Sequence, residues 1–163
     1  MRVEMKNSVL VTLGTWSGIW EGDGINHEQQ SFHAVLVARP LFGNQSIILW
    51  FRAAGLDGKR YHEEVSLLGP GIDTALSMAS VNSNMPFVQQ FVAHALAQAE
   101  IVEVHHGDHS NVQSFRETVS LQEQGGNIRM SFLWGMPGEQ VVPRSSVVLS
   151  RSEAALPSTS PLR

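Results

Sequence analysis

Turn-forming residues cut this chain into short pieces, and that spacing limits the fold more than any other feature. Gly22-Asp23-Gly24, Phe42-Gly43-Asn44, Asp57-Gly58, Gly69-Pro70-Gly71, Gly125-Gly126-Asn127 and Gly135-Met136-Pro137-Gly138 recur along it. Between them lie segments of about ten residues in which apolar and polar side chains alternate, the period of a strand with one buried face. Pieces this short cannot form long helices. Antiparallel strands joined by tight turns can close into a barrel or stack as a sandwich.

The segments read as strands one after another. Residues 31–39 (SFHAVLVAR) are rich in branched side chains and stop at Pro40. Residues 45–52 (QSIILWFR) place Ile48 and Trp50 on one face, with Ile47, Leu49 and Phe51 on the other. After the Asp57-Gly58 turn, residues 60–68 put Tyr61, Glu63, Val65 and Leu67 opposite His62, Glu64, Ser66 and Leu68. Residues 74–81, 100–105, 111–122, 128–134 and 145–151 continue the pattern. One stretch differs. Phe87, Val88, Phe91, Val92, Ala95 and Leu96 recur at helical spacing, with Asn84 as cap and Pro86 in the first turn. A short helix is therefore predicted around 86–98, with strand over 93–99 as the alternative. The expected fold is all-β: a single antiparallel up-and-down barrel of about eight to ten strands with that one helix.

With 163 residues the chain is read as one domain over 1–153. A Pro/Ser/Thr-rich tail over 154–163 is expected to be disordered. Residues 1–13 are expected to be a short lead-in, with Val9 and Val11 available to extend a strand. The net charge of −4 lacks the basic surplus that phosphate backbones and anionic membranes attract, so neither is an expected partner. No segment matches a signal peptide or the roughly 20 apolar residues of a membrane helix. There is no cysteine, which excludes disulfides and thiolate chemistry and suits a cytoplasmic address.

The stretch Leu13-Gly14-Thr15-Trp16-Ser17-Gly18-Ile19-Trp20 is predicted to open the barrel as its first strand, with Trp16, Gly18 and Trp20 on one face. This opening, followed by meandering strands and a helix, resembles the lipocalin and fatty-acid-binding-protein (calycin) superfamily. Within it, Gly14-x-Trp16-x-Gly18 with Gly22 and Gly24 looks most like the nitrobindin-like and neighbouring uncharacterised bacterial barrel families. The resemblance implies that Gly14 and Trp16 close the base of the barrel and that Trp16 stacks with an arginine from the last strand, here Arg151. It also implies a ligand-binding lumen. Two family devices have no match. No histidine follows His109 to hold haem, and no Arg-x-Tyr pair is present to grip a fatty-acid carboxylate. No cofactor is therefore expected.

The expected pocket is lined by Trp20, Phe32, Leu49, Phe51, Phe115, Met130, Phe132 and Trp134, with Tyr61, Arg116, Glu117 or Arg129 fixing a polar end. Glu117 shares a face with Phe115 and Val119 and is the prime inward polar residue. The expected ligand is a small apolar or amphipathic molecule. The alternative is an isomerase, cyclase or decarboxylase using Tyr61, Glu63 and Glu117 as acid and base, although Glu63 and Glu64 diverge on a strand. A third reading is a homodimer built on Ile48 and Trp50. His105, His106, Asp108 and His109 have the chemistry of metal ligands, but neighbours on a strand point apart, so a surface hairpin is expected there and no metal is assigned. His33 and His94 sit among apolar residues and are read as packed histidines.

Overall fold

A computed structural model describes residues 12–94, 98 and 100–154. The lead-in up to residue 11, residues 95–97 and 99, and the tail from 155 lie outside the described residues. Ten strands form one antiparallel sheet that closes on itself: β1 (Gly18–Asn26), β2 (Ser31–Leu41), β3 (Ser46–Gly55), β4 (Arg60–Pro70), β5 (Leu76–Asn82), β6 (Met85–Ala93), β7 (Ile101–His106), β8 (Arg116–Gln124), β9 (Asn127–Gly135) and β10 (Val142–Arg151). Each strand pairs with its neighbours in sequence, and β1 meets β10 to complete the ring. Among the described residues, no helix is long and apolar enough to cross a membrane.

The alternation seen in the sequence decides which side chains face inward. Phe32, Ala34, Leu36 and Ala38 of β2, and Ile47, Leu49, Phe51 and Ala53 of β3, are buried. Their partners one residue along, such as His33, Trp50 and Arg52, face out. The seam between β1 and β10 depends on Gly22. A Cβ there would stand 2.1 Å from the backbone oxygen of Val148, so only glycine lets the two strands approach this closely.

Two expectations are overturned. Residues 86–93 form β6 rather than a helix. Gln89, Phe91 and Ala93 face the interior, while Phe87 and Val88 are exposed. The apolar spacing there satisfies both periods, and pairing with β5 wins. Pro86 is tolerated because the ladder shifts register between Ser80 and Asn82, where its missing N–H breaks no bond. Asn84 belongs to the turn between β5 and β6 instead of capping a helix. The part of the predicted helix over 95–97 lies outside the described residues.

The second correction concerns the Gly-Trp opening. Residues 12–15 form a single helical turn, and strand begins only at Gly18. Leu13 and Trp16, each 1 % exposed, seal the base of the barrel from below. The Trp20 indole donates to the Trp16 carbonyl at 2.8 Å. Arg151 stacks on Trp20, its strand partner, at 4.3 Å from the ring, and not on Trp16. Its guanidinium donates to the carbonyls of Ser17 at 2.5 Å and Thr15 at 2.8 Å. Trp16 precedes the strand and plugs the hole, so the arginine at the end of β10 reaches the indole beside it in register. Gly18, at φ 138°, leaves room for that guanidinium: a Cβ there would come within 2.6 Å of it.

Candidate functional site

The barrel is filled below and open above. In the lower half Leu36, Leu49, Leu68, Met78, Phe91, Val104, Leu121, Met130 and Leu149 pack together. Toward the end bearing the β1–β2, β3–β4, β5–β6 and β9–β10 connections, side chains no longer meet. A cavity of about 840 Å³ opens there.

Phe32, Phe51, Phe115, Phe132 and Trp134 supply its apolar wall. The Phe51 and Phe132 rings lie 5.3 Å apart, and the His62 ring stands 5.5 Å from Phe132. Nearer the mouth, Trp134 is covered by the Arg144 guanidinium at 4.2 Å and met edge-on by His27 at 5.5 Å. Tyr61 also lines the cavity. Pairing of β3 with β4 shifts register between Ala53 and Ala54, opposite His62 and Arg60, which leaves Tyr61 as the extra residue of a bulge. Tyr61 and its neighbour His62 can therefore both line one cavity, which a regular strand would forbid.

A polar band crosses the wall between the rings and the packed half. His62 Nδ1 lies 3.1 Å from the Asn84 amide nitrogen, so Nδ1 accepts and the ring proton sits on Nε2. Nε2 then donates to Glu64 Oε2 at 3.1 Å, and the Ser66 hydroxyl donates to Glu64 Oε1 at 2.6 Å. Both oxygens of Glu64, buried at 5 % exposure, are thus used. On the next strands the Asn82 amide donates to Gln89 at 2.6 Å, and the Gln89 amide donates to Glu117 Oε2 at 3.0 Å. Glu117 lines the cavity. Burial, reinforced by the nearby Glu64, raises its pKa above the usual carboxylate value; the Gln89 hydrogen bond and the nearby His62 and His106 oppose this only in part.

The sequence placed Tyr61, Phe115, Glu117, Phe132 and Trp134 at the pocket, with Phe32 and Phe51, and the structure brings all of these together. It places others elsewhere. Trp20 belongs to the sealed base under Arg151, and Leu49 and Met130 to the packed half. Arg116 is buried but turned away from the lumen. It donates to the backbone carbonyls of Ser114, Val112 and Glu139, tying the loop before β8 to the one before β10. Arg129 is on the outer face, bonded to Gln124 at 3.3 Å. Glu63 also faces out, where hydrogen bonds from Arg60 and Trp50 hold its pKa below the usual value.

His62, Glu64, Asn82 and Gln89 are site residues the sequence reading did not select. His62 and Glu64 share a face with the buried Ser66 and Leu68, and that alternation was the signal. His105 and His106 do point apart. His105 bonds Thr118 at 2.9 Å outside, while His106 turns inward against Phe91 at 5.3 Å. Asp108 caps Ser110, and no group of three potential metal ligands forms among the described residues.

No protein-family model matches the chain, and no curated protein matches it either. Solved structures do. The chain is similar in fold to Rv2717c from M. tuberculosis. The two share 16 % identity over 89 % of this chain and 98 % of that one, with a TM-score of 0.67. A de novo designed fluorescence-activating beta barrel aligns at 11 % identity over 86 % of this chain and 97 % of that one, with a TM-score of 0.47. The structure of EF1p2_mFAP2b bound to DFHBI aligns at 9 % identity over 89 % and 98 %, also at 0.47. At these identities the likeness concerns the β-barrel fold.

Proposed function

We propose that this barrel binds a small amphipathic molecule in its upper lumen. The observation carrying this reading is the open cavity of about 840 Å³, walled by phenylalanine and tryptophan rings and crossed by one polar band. The rings take the apolar body; Tyr61, His62, Asn82 and Glu117 orient the polar end. A lipocalin-like ancestry closest to the nitrobindin-like barrels and a cytoplasmic address accompany this reading. A panel of fluorescent fatty-acid and haem probes, titrated while probe and tryptophan emission are followed, tests it. Saturable one-to-one binding that weakens when Phe132 is truncated supports the proposal. A flat response to every probe sinks it.

A second reading concerns the outer wall. Val37, Trp50, Val65 and Val81 are successive register partners on β2 to β5, and Trp50, Val65 and Val81 are exposed, with Leu67 beside them. This apolar strip, which includes the Trp50 and Ile48 face, is proposed to pair with the same strip on a second copy. Sedimentation that finds only monomer at high micromolar concentration ends this reading.

A further inference from the structure

The polar band in the lumen sets two carboxylates against one imidazole, that of His62, which is bonded to Glu64 at 3.1 Å. Glu64 and Glu117 carry it, from β4 and β8. Among the described residues, the basic side chains that border the cavity sit toward its mouth. Arg60 is bonded to Glu63 at 2.8 Å, Arg144 is bonded to Glu139 at 2.8 Å and stacked on Trp134, and Lys59 lies on the β3–β4 turn. Arg116, next to Glu117 in sequence, is spent on loop carbonyls. The imidazole of His62 already gives its one proton to Glu64.

Glu117 is the member of the band that is only half satisfied. Oε2 accepts from Gln89, whereas Oε1 has no hydrogen-bond partner among the described residues. A carboxyl in an apolar, largely buried setting either stays protonated or waits for a positive charge. Burial first, and then the nearby Glu64, raises the pKa of Glu117 above the usual carboxylate value. A second unpartnered polar group belongs to the same band. Ser80 stands in register between Ser66 and Gln89, on the inward face of β5. Its hydroxyl, 1 % exposed, finds no partner. Its two neighbours serve Glu64 and Glu117, so the orphan hydroxyl sits midway along the band connecting the two carboxylates.

We infer that the lumen selects a ligand whose polar end is a protonated nitrogen, an alkyl or arylalkyl amine, seated on Glu117 with Glu64 behind it. This rests on the lumen-binding reading above and adds the chemical class of the ligand. An ammonium brings up to three donors. One satisfies Glu117 Oε1, and the charge offsets the cost of keeping two carboxylates in an apolar wall. The aromatic rings above then hold the apolar body, and their faces favour a cation passing over them. A carboxylate head meets the reverse situation: like charges at the band and no free cation at that depth.

Matched ligands separate the head from the body. Decylamine, decanol and decanoate, titrated by calorimetry against the full chain near neutral pH, present one tail with three heads. Decylamine is expected to bind at least about tenfold more tightly than the other two. Glu117→Gln is expected to abolish the preference of decylamine over decanol measured on the same variant, with circular dichroism confirming the barrel. Equal affinity for all three heads, or preference for decanoate, overturns the amine assignment and leaves lumen binding standing. Failure of all three to bind overturns both. Should Glu117→Gln fail to fold, the comparison of heads on the unaltered chain still decides.

Discussion

Glu117 is a residue at which stability and binding pull in opposite directions. Its carboxyl is raised chiefly by burial, then by Glu64, so the folded barrel favours its protonated form more than the unfolded chain does. A carboxylate raised in this way contributes stability that is fully present below its ordinary pKa and is lost as pH climbs through the raised one. The titratable groups facing it are Glu64 and His62 from β4 and His106 from β7. Glu117→Gln keeps the shape and a hydrogen bond to Gln89 but removes the charge. It is expected to raise the melting temperature at neutral pH and to change little near pH 4. Thermal unfolding at the two pH values measures this, and a loss of stability at neutral pH contradicts it. Arg151 presents the opposite case, a charge whose work is structural. Arg151→Ala removes the stack on Trp20 and two hydrogen bonds that hold the base turn, and is expected to cost about 1 to 3 kcal/mol. Arg151→Lys keeps a cation but not the fork that reaches both Ser17 and Thr15, and should recover only part. Urea midpoints of the three proteins check the order.

Among the elements, β1 and β6 show what alternation settles and what it leaves open. β1 closes the ring only because Gly22 lets its backbone approach Val148. Gly22→Ala forces that seam apart and is expected to lower stability by about 2 kcal/mol or more, read as a drop in urea midpoint at unchanged slope. The sequence marked this strand by its glycines, and it located nearly every other strand from period-two segments between turns. It misjudged β6 because Phe87, Val88, Phe91 and Val92 fit a helix as well as a strand, and only the unpaired edge of β5 decides between them. It took Trp16 for strand because an indole beside glycine suits a bend, while the need to seal the barrel end is visible only once the barrel exists. Glu117 was legible, since it shares a face with Phe115 and Val119. Arg116 was not: which loops fold over the end of β8 is a long-range matter, and its partners Val112 and Glu139 come from two of them. The bulge at Tyr61 was equally hidden, because a single extra residue in β4 reveals itself only against β3.

At the scale of the whole molecule, the barrel is divided between a packed half that supplies stability and an empty half that bears the proposed function. The lower half and the base plug already bury a contiguous core, so the upper cavity can be altered without dismantling the fold. Ala53 tests this division. Its methyl lines the cavity from β3, directly opposite His62 in register and on the same face as Phe51. Ala53→Trp places an indole in space that no side chain occupies. Filling a void gains contacts rather than forcing overlap, and the indole buries apolar surface worth about 1 kcal/mol or more if it fits. The melting temperature is therefore expected to hold or rise, while probe binding in the lumen falls by at least about a hundredfold, since the ligand and the ring compete for the same volume. The outer strip at Trp50 and Val65 is untouched, so sedimentation should be the same before and after the substitution. Probes that still bind with undiminished affinity to a folded Ala53→Trp protein would mean that they sit on the outer wall, and the upper lumen would lose its claim to be the binding site.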